Sequence, residues 1–418
     1  MRIEIICTGD EVLTGKIVNS NFSYMSQKLE DFGLAVHWGT TVGDDREALL
    51  EAFRFAASRS DAVIVNGGLG PTIDDLSQEV AARAAGVALV LDEDWLARME
   101  AFFRRRGRTM PPNNRKQAML PAGSELLDNP LGTACGFALD IGKARFFFTP
   151  GVPRELRAML ENEIIPRLLR RSGAAMAVRL KRFHSYGIGE SHADALLAGI
   201  EALAPEGNVK LGFRAHYPQL ETKLTVRAAD AAAIERTLAP IAAEVRRRLG
   251  NFILAEDDET LESVVLSALG ACGGSLATVE TFTGGLIAGR LAHLPGAEAI
   301  LRRGVVAPDP AQLRAMLGIA AEAAEEAAAA AAAAARSASG ASHALAVVVV
   351  LEEGSEGTDL GGGIYVAIAT ASGTALRRAR IFGGRDWIRL GAVELGLDCL
   401  RRFLRGLPID ERIDFEKR

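Results

Sequence analysis

Residues 61–79, DAVIVNGGLGPTIDDLSQE, decide the fold class of this chain and indicate where its chemistry is concentrated. Residues 62–65 are apolar and mostly β-branched, which is typical of a buried strand, and a helical pattern begins near Leu76. A glycine-rich turn, residues 67–70, lies between them. Glycine lets backbone N–H groups approach phosphate oxygens, and a helix start favours negative charge. The stretch therefore predicts a strand–turn–helix unit that holds phosphate within an α/β fold.

Two adjacent carboxylates, Asp74 and Asp75, follow the glycine turn, and Thr72 precedes them. Carboxylates repel phosphate unless a cation lies between them, so the segment also indicates a metal ion. The alternative is a plain tight turn in which Asp74 or Asp75 caps the following helix. The two interpretations are compatible, because one aspartate can cap the helix while the other binds metal.

Strand and helix patterns alternate over the first 170 residues, which predicts a parallel sheet covered by helices on both faces. Ligands of such sheets lie at the carboxyl ends of the strands. Two more acidic turns follow predicted strands there, Asp10 with Glu11 and Asp44 with Asp45. Each alone is a common turn or helix cap. Three acidic turns at one edge indicate a shared site, since hard cations accept carboxylate oxygens.

The composition bounds the size and class of the protein. The 418 residues, 49% of them hydrophobic, predict two or three domains with real cores. A net charge of −5 argues against nucleic-acid binding as the main function. The four cysteines show no metal-binding spacing, so we expect reduced thiols in a cytoplasmic protein. Apolar stretches are short and the chain starts directly as a strand, so we expect neither a membrane partner nor a secretion signal.

The pattern divides the chain into three predicted domains. Residues 1–172 form the α/β domain, and residues 173–252 form a smaller α+β domain with antiparallel pairing. Residues 253–418 form a second α/β domain. It contains an alanine-rich stretch, residues 320–335, that we predict to be helical because alanine is the best helix former. A flexible low-complexity insert is the alternative.

The chain resembles the CinA family, the competence/damage-inducible proteins, over essentially its whole length. The most specific motifs are GDEVLTG (9–15), NSN (19–21), VGDD (42–45), GGLGPTIDD (67–75), NPLGTA (129–134) and TPGVPRE (149–155). The first domain is similar to the MoaB/MogA-type molybdopterin-binding fold, with three α/β/α layers. The middle domain, with YGIGES at 186–191, is similar to the family's KH-like domain. It has no GXXG loop, so RNA binding is not implied.

The resemblance implies a metal-dependent ADP-ribose pyrophosphatase in the first domain, which forms AMP and ribose 5-phosphate. We expect a divalent cation (Mg, Mn or Co), with a monovalent cation as a further candidate, and a homodimer. Together with the acidic turns, it points to Asp44 and Asp75 as catalytic residues and to Asp10, Glu11 and Asp74 as metal ligands. Which acid is ligand and which is base stays open. The residues expected to bind phosphate or nucleotide are Thr8, Gly9, Asn21, Gly67, Gly68, Gly70, Thr72, Asn129, Thr133 and Gly151.

The third domain resembles the family's nicotinamide-nucleotide amidohydrolase domain, with degenerate motifs. Where the family has Glu-Ser-Cys-Thr-Gly-Gly, this chain has ETFTGG at 280–285. Thr281 therefore occupies the position of the serine nucleophile, and Thr283, Gly284 and Gly285 complete the motif. Pro308 and Leu313 take the positions of a tyrosine and a lysine, and neither can move a proton. A later glycine-rich family segment is replaced near residues 350–355. We expect this domain to be inactive in amide hydrolysis and to serve in dimerisation or regulation.

Two alternatives from other functional classes stay open. The third domain could be an active nicotinamide mononucleotide deamidase after all. The chain could also be a non-catalytic protein that binds a nucleotide or pterin, associated with competence or DNA damage. Metal-dependent release of AMP from ADP-ribose distinguishes a hydrolase from a binding protein.

Overall fold

The computed structural model describes residues 1–173, 177–204, 208–353 and 360–416, which fall into two units. The first unit comprises residues 1–180 and 227–234, and the second comprises residues 181–226 and 235–418. In these ranges, no helix combines the length and the apolar character needed to cross a bilayer. The four cysteines are free thiols, as predicted, and all except Cys272 are buried.

The N-terminal domain is built on a six-stranded sheet. Its strands, with a separate short ribbon, are β1 (Ile3–Thr8), β2 (Val36–Val42), β3 (Ala62–Asn66), β4 (Leu89–Leu91), β5 (Met119–Pro121), β6 (Glu125–Leu127), β7 (Gly136–Ile141) and β8 (Ala144–Thr149). The sheet order is β2-β1-β3-β8-β7-β6, and β4 pairs with β5. The β1–β2, β1–β3 and β3–β8 pairs are parallel, as predicted. The sequence did not predict the antiparallel β7 and β6 at the far edge.

Helices cover both faces of this sheet. They are α1 (Asp10–Leu13), α2 (Ser20–Asp31), α3 (Arg46–Arg59), α4 (Ser77–Ala85), α5 (Glu93–Arg105), α6 (Pro153–Met159) and α7 (Ile165–Ser172). Successive residues of β3 alternate between two cores: Val63 and Val65 pack with α3 and α4, whereas Ile64 packs with α2 and α6. Strand side chains alternate in this way when both faces are covered. The predicted three-layer arrangement is confirmed.

The middle of the chain is α+β, as predicted. Its elements are β9 (Ala177–Tyr186), α8 (Glu190–Leu197), β10 (Val209–His216), β11 (Gln219–Ala228), α9 (Ala231–Leu249) and β12 (Ile253–Glu256). The sheet order is β10-β11-β9-β12. The β10–β11 hairpin, which confirms the predicted antiparallel pairing, closes where His216 pairs with Gln219.

The C-terminal domain has a five-stranded sheet. Its elements are α10 (Leu261–Ala271), β13 (Leu276–Thr281), α11 (Leu286–Ala292), α12 (Ala297–Ile300), β14 (Leu301–Ala307), α13 (Pro310–Leu317), α14 (Ala324–Ser339), β15 (His343–Glu353), β16 (Leu360–Thr370), β17 (Gly373–Phe382) and α15 (Arg385–Leu404). The order is β14-β13-β15-β16-β17. β13 is parallel to β14 and β15, and the remaining pairs are antiparallel.

The alanine-rich stretch is the helix α14, which confirms the helical prediction over the flexible insert. One face of the helix consists of alanine methyl groups buried against β13, β15 and β16. The buried residues are Ala327, Ala328, Ala331, Ala332 and Ala335. Glu325 and Glu326, in the first turn of the helix, are exposed. Small side chains let the helix approach the sheet closely, so this stretch of low complexity is part of the core.

A buried ionic cluster joins the last helix to the chain that precedes the domain. Asp398 accepts hydrogen bonds from Arg401 (2.8 Å) and Arg402 (2.7 Å), and all three side chains are at most 3% exposed. Both guanidinium groups also donate to the carbonyl oxygen of Asn251. Arg402 additionally pairs with Glu411. Since each charge has a partner, the cluster is compatible with burial.

Candidate functional site

The carboxyl ends of the parallel strands meet at one edge of the N-terminal sheet. Thr8 pairs with Val42, and Asn66 pairs with both Cys7 and Thr149. A cavity of about 560 Å³ opens at this edge, a size typical of small-molecule sites. It is lined by Thr8, Gly9, Glu11, Asp44, residues 67–72, Asp74, Asp75, Gln117, Thr133, Ala134, residues 150–152 and Glu155. The turns that the sequence singled out therefore do come together.

Three of the residues predicted for this site, Asp10, Asn21 and Asn129, do not line the cavity. They form hydrogen bonds with residues that do line the cavity. The Asn21 amide donates to the carbonyl oxygen of Gly151 at 2.7 Å. The Asn129 amide donates to a carboxylate oxygen of Glu155, also at 2.7 Å. The structure thus places these side chains behind the wall, where they hold its shape.

The glycine turn is locked by its own backbone. Gly67 has a φ of 113° and Gly68 a φ of 68°, values that favour glycine. The Gly67 N–H donates to the carbonyl oxygen of Thr149 (2.9 Å), so it is not available to phosphate, contrary to our prediction for this residue. The Ser77 hydroxyl donates to the Gly67 carbonyl oxygen at 2.9 Å. The N–H groups of residues 68–70 meet no acceptor in the described parts of the chain.

The Thr8 hydroxyl is a further donor without a partner. Thr8 is only 7% exposed, and its Oγ1 forms no hydrogen bond with the residues that the structure describes. An unpaired buried hydroxyl is costly, which indicates that a ligand completes it. With the free N–H groups of residues 68–70, it gives this side of the cavity the donors that an oxyanion requires.

A substitution at Gly67 tests whether the turn has room for a side chain. A Cβ at this position would lie 2.5 Å from the Thr8 Oγ1 and 2.9 Å from the Thr8 carbonyl oxygen. We expect Gly67→Ala to destabilise the N-terminal domain by about 1–3 kcal/mol, through steric overlap and an unfavourable φ. The matched control is Gly151→Ala, whose Cβ would make an ordinary 3.7 Å contact with Gly67. Urea denaturation compares them, and equal midpoints would contradict the prediction.

Asp75 is held by Thr72. The Asp75 Oδ2 accepts from the Thr72 N–H (2.7 Å) and from the Thr72 hydroxyl (2.6 Å). The hydroxyl that we predicted to bind phosphate is therefore engaged within the protein. α4 follows Leu76 without a side-chain cap, so the N-cap interpretation of Asp74 and Asp75 is wrong. The other oxygen of Asp75, Oδ1, meets no donor among the described residues, and Asp75 lines the cavity.

Acidic residues from separate turns interact at the other side of the cavity. Asp44 and Asp10 each accept a hydrogen bond from the backbone N–H of the other, at 3.2 and 3.1 Å. Burial raises the pKa of Asp44, and the nearby carboxylates of Asp10, Glu11 and Asp74 raise it further. Asp45 instead caps α3, as the helix-cap alternative for this turn predicted. Across the described ranges, no three acidic, histidine or cysteine side chains form a group that could hold a metal.

The raised pKa of Asp44 predicts a pH-dependent stability. A carboxyl whose pKa is higher in the folded than in the unfolded chain loses its contribution to stability as the pH rises through that window. At pH 7 the ionised Asp44 therefore opposes folding. We expect Asp44→Asn to raise the Tm slightly at pH 7, and the gain to shrink in acid, where the wild-type carboxyl is protonated. Asparagine keeps an oxygen acceptor for the Asp10 N–H.

Differential scanning calorimetry at both pH values checks this expectation. The control is Asp45→Asn, which should leave the Tm unchanged because asparagine is an equally good N-cap. A lower Tm of Asp44→Asn at pH 7, or a gain that grows in acid, would contradict it.

Sequence reasoning missed three polar side chains that line or support the site. Asn66, the last residue of β3, donates to the carbonyl oxygen of Pro150 (2.7 Å) and ties two turns together. Gln117 lines the cavity and donates to the carbonyl oxygen of Leu69 at 3.1 Å. Glu155 lines it from the first turn of α6. Glu155 lies in the quoted TPGVPRE motif, so a signal existed, whereas Gln117 comes from a segment with no motif.

The degenerate deamidase motif lies at the end of β13. Thr281 is fully buried, and its hydroxyl oxygen accepts from the Val349 N–H at 2.8 Å. The Thr283 hydroxyl donates to the Glu280 carboxylate at 2.6 Å. Phe282, between the two threonines, has a φ of 67°, which is uncommon for a residue other than glycine. Both threonine hydroxyls thus form hydrogen bonds within the protein.

A second cavity, of about 510 Å³, lies beside this motif. Of the residues predicted for the degenerate site, it is lined by Gly284 and Pro308, whereas Thr281, Thr283, Gly285 and Leu313 do not line it. Leu313 is fully buried in the apolar core that includes the alanines of α14. Residues 354 and 355, in the segment that replaces the family's glycine-rich loop, lie outside the described residues.

Family models match three consecutive parts of the chain: a probable molybdopterin binding domain (residues 4–170), a damage-inducible protein CinA KH domain (180–255) and a CinA C-terminal domain (258–404). A CinA-like protein of Shewanella amazonensis is 35% identical, over 97% of this chain and 96% of its own. A Shewanella oneidensis protein named nicotinamide-nucleotide amidohydrolase PncC is 36% identical, over 97% and 96%. The crystal structure of a CinA protein from Thermoplasma acidophilum is 36% identical, covers 38% of this chain and 94% of that chain, and has a TM-score of 0.36.

Proposed function

Since the chain belongs to the CinA family, we propose that its N-terminal cavity hydrolyses the diphosphate bond of a nucleoside diphosphate sugar, with ADP-ribose as the leading substrate. One observation carries this proposal: unpaired hydrogen-bond donors and carboxylates from separate turns line the same cavity. The donors suit phosphate oxygens, and the carboxylates suit a cation and an attacking water.

Each group has a role in the proposed reaction. The N–H groups of residues 68–70 and the Thr8 hydroxyl bind diphosphate oxygens. Asp75, with Oδ2 fixed by Thr72, presents Oδ1 to a water molecule and accepts its proton as the water oxygen bonds to phosphorus. The bridging P–O bond breaks, and its electron pair leaves on the departing phosphate. The products are two phosphate monoesters, which for ADP-ribose are AMP and ribose 5-phosphate.

The acidic side of the cavity fits a divalent cation with oxygen ligands. Burial first, and then repulsion from the nearby carboxylates, raises the pKa of Asp44, and a bound cation would favour its ionised form. Because the described residues form no group of three such ligands, one or two of Glu11, Asp44 and Asp74 would hold the cation together with oxygens of the substrate, a mode typical of magnesium. When bound, the cation would neutralise charge on the diphosphate. The monovalent cation stays a prediction.

The test is hydrolysis of ADP-ribose by the purified chain with magnesium, manganese or cobalt, followed by chromatography of the products. We expect AMP and ribose 5-phosphate in equal amounts, and none after the cation is removed with a chelator. Calorimetric binding of the nucleotide without turnover would favour the non-catalytic alternative. The absence of both binding and turnover would refute the proposal.

We infer that the C-terminal domain does not release ammonia from nicotinamide mononucleotide, although one relative carries the name of that amidohydrolase. The support is geometric: the Thr281 hydroxyl is buried and bonded to the backbone, and Leu313 is buried where the family has a lysine. We expect no ammonia release above that of a heat-denatured sample. Robust turnover that Thr281→Ala abolishes would overturn the inference.

We also retain the homodimer, and the absence of nucleic-acid and membrane partners, as predictions. Size-exclusion chromatography with light scattering tests the first. A monomeric mass at micromolar concentration would contradict it.

A further inference from the structure

The cavity of the N-terminal domain has an unusual distribution of charge. Its lining contains the carboxylates of Glu11, Asp44, Asp74, Asp75 and Glu155, and neither lysine nor arginine. Among the lysines and arginines of the described ranges, Lys116 is the one whose side chain donates a hydrogen bond to a lining residue. Its Nζ lies 2.6 Å from the carbonyl oxygen of Thr72. Hydrogen bonds from charged donors are the stronger ones, so this contact restrains the loop.

The same short segment holds the loop at a second point. Lys116 and Gln117 are neighbours in a 3₁₀ turn, Pro112–Ala118. The Gln117 amide donates to the carbonyl oxygen of Leu69 at 3.1 Å, three residues before the carbonyl that Lys116 holds. Gln117 is 3% exposed, and its Oε1 accepts from Asn114 at 2.8 Å, which fixes its orientation. The segment therefore holds residues 69–72 at two points, through Gln117 in the cavity lining and through Lys116 behind it.

Thr72 connects these contacts to Asp75, the proposed base. Its carbonyl oxygen accepts from Lys116, while its N–H and hydroxyl donate to the Asp75 Oδ2. A shift of Thr72 would therefore move the carboxylate and with it the free Oδ1. Misplacement of a catalytic group by about 1 Å can cost on the order of 10²-fold in rate.

We propose that Lys116 is a positioning residue for the diphosphate hydrolysis, acting through Thr72 on Asp75. The kinetic part of this inference rests on the proposed function. Lys116 does not touch the substrate in this role, so its loss should lower kcat and leave KM nearly unchanged. Its effect should also vanish once Asp75 has been disabled, because the two residues act in series.

The test compares Lys116→Met, Lys116→Arg and the control Arg115→Met, which removes an exposed positive charge one residue away. We expect Lys116→Met to lower kcat roughly 10- to 100-fold with KM within about twofold. Lys116→Arg should recover most of the rate, because arginine can also donate to the Thr72 carbonyl. Arg115→Met should match the wild type. In the Asp75→Asn background, Lys116→Met should change the residual rate by less than about twofold.

Hydrogen–deuterium exchange of the peptide that contains residues 69–76 is the readout that does not need activity. Lys116→Met should speed its exchange, while peptides of the sheet and the overall Tm stay unchanged. If the wild type releases no AMP, the proposed function fails, and the exchange experiment still tests the hold of Lys116 on the loop. Unchanged exchange, an unchanged kcat, or a change in KM alone would overturn the inference.

Discussion

Asp75→Asn should lower metal-dependent AMP release by roughly 10²- to 10⁴-fold, the usual cost of losing a general base. Asparagine retains an oxygen that accepts from both donors of Thr72, so the loop should keep its conformation. The amide cannot accept the proton of water at the other position. Initial rates of AMP formation from ADP-ribose, at saturating substrate and cation, measure the effect.

The matched control is Asp45→Asn, the same substitution in a neighbouring acidic turn. Asp45 does not line the cavity, and its carboxylate caps α3 by accepting from the Ala48 N–H at 2.8 Å. Asparagine caps helices equally well, so both rate and Tm should match the wild type. If Asp75→Asn retains more than about a tenth of the wild-type rate, Asp75 is not the base.

Asp398→Asn should destabilise the C-terminal domain by about 3–5 kcal/mol, the cost of leaving a buried charge without its partner. Arg401 and Arg402 are only 1% and 2% exposed, and Asp398 bonds both. The two arginines donate to different oxygens of Asp398, so asparagine, which has one oxygen, can keep only one of these hydrogen bonds. It also carries no charge. Calorimetry is the suitable measurement because it can record more than one transition, whereas a single midpoint is not well defined for a chain of several domains.

Asp386→Asn provides the comparison on the same helix. Asp386 pairs with Arg389 at 3.1 Å, but its side chain is 87% exposed. Exposed ion pairs contribute at most about 1 kcal/mol, so this variant should unfold close to the wild-type temperature. Equal losses in the two variants would show that burial does not set the strength of the cluster.

The parallel core of the fold could be predicted because its strands are buried on both faces. β3 begins with a continuous apolar run and β1 is apolar from Ile5 to Cys7, and the turns after them carry glycine and acid. β17 escaped prediction because Arg377, Arg378 and Arg380 interrupt its apolar pattern. It is an edge strand, where charged side chains such as those of Arg378 and Arg380 reach water, while Arg377 pairs with Glu416.

The site was predictable only where it follows strand ends. Thr8 is the last residue of β1, and Asp44 and the glycine turn begin within two residues of the ends of β2 and β3, so sheet topology alone brings them together. Lys116 and Gln117 arrive from a 3₁₀ turn more than forty residues beyond the loop they hold. No periodicity or motif signals such a contact, because it exists only once the tertiary structure has formed. The Thr72–Asp75 pair is a local contact, and it was missed because we expected Thr72 to bind phosphate and Asp75 to act in catalysis or cap the following helix.

The alanine helix α14 has a consequence for how its position on the sheet is encoded. Every residue from 327 to 335 is alanine, so turning or sliding the helix by one residue would bury the same methyl groups. Its buried face therefore cannot distinguish one frame from the next. The ends must do so: Glu325 and Glu326 require water at the start, and Gly340, with a φ of 66°, stops the helix at its end. In this element, the information that selects a single docked state lies in the flanks and not in the contact.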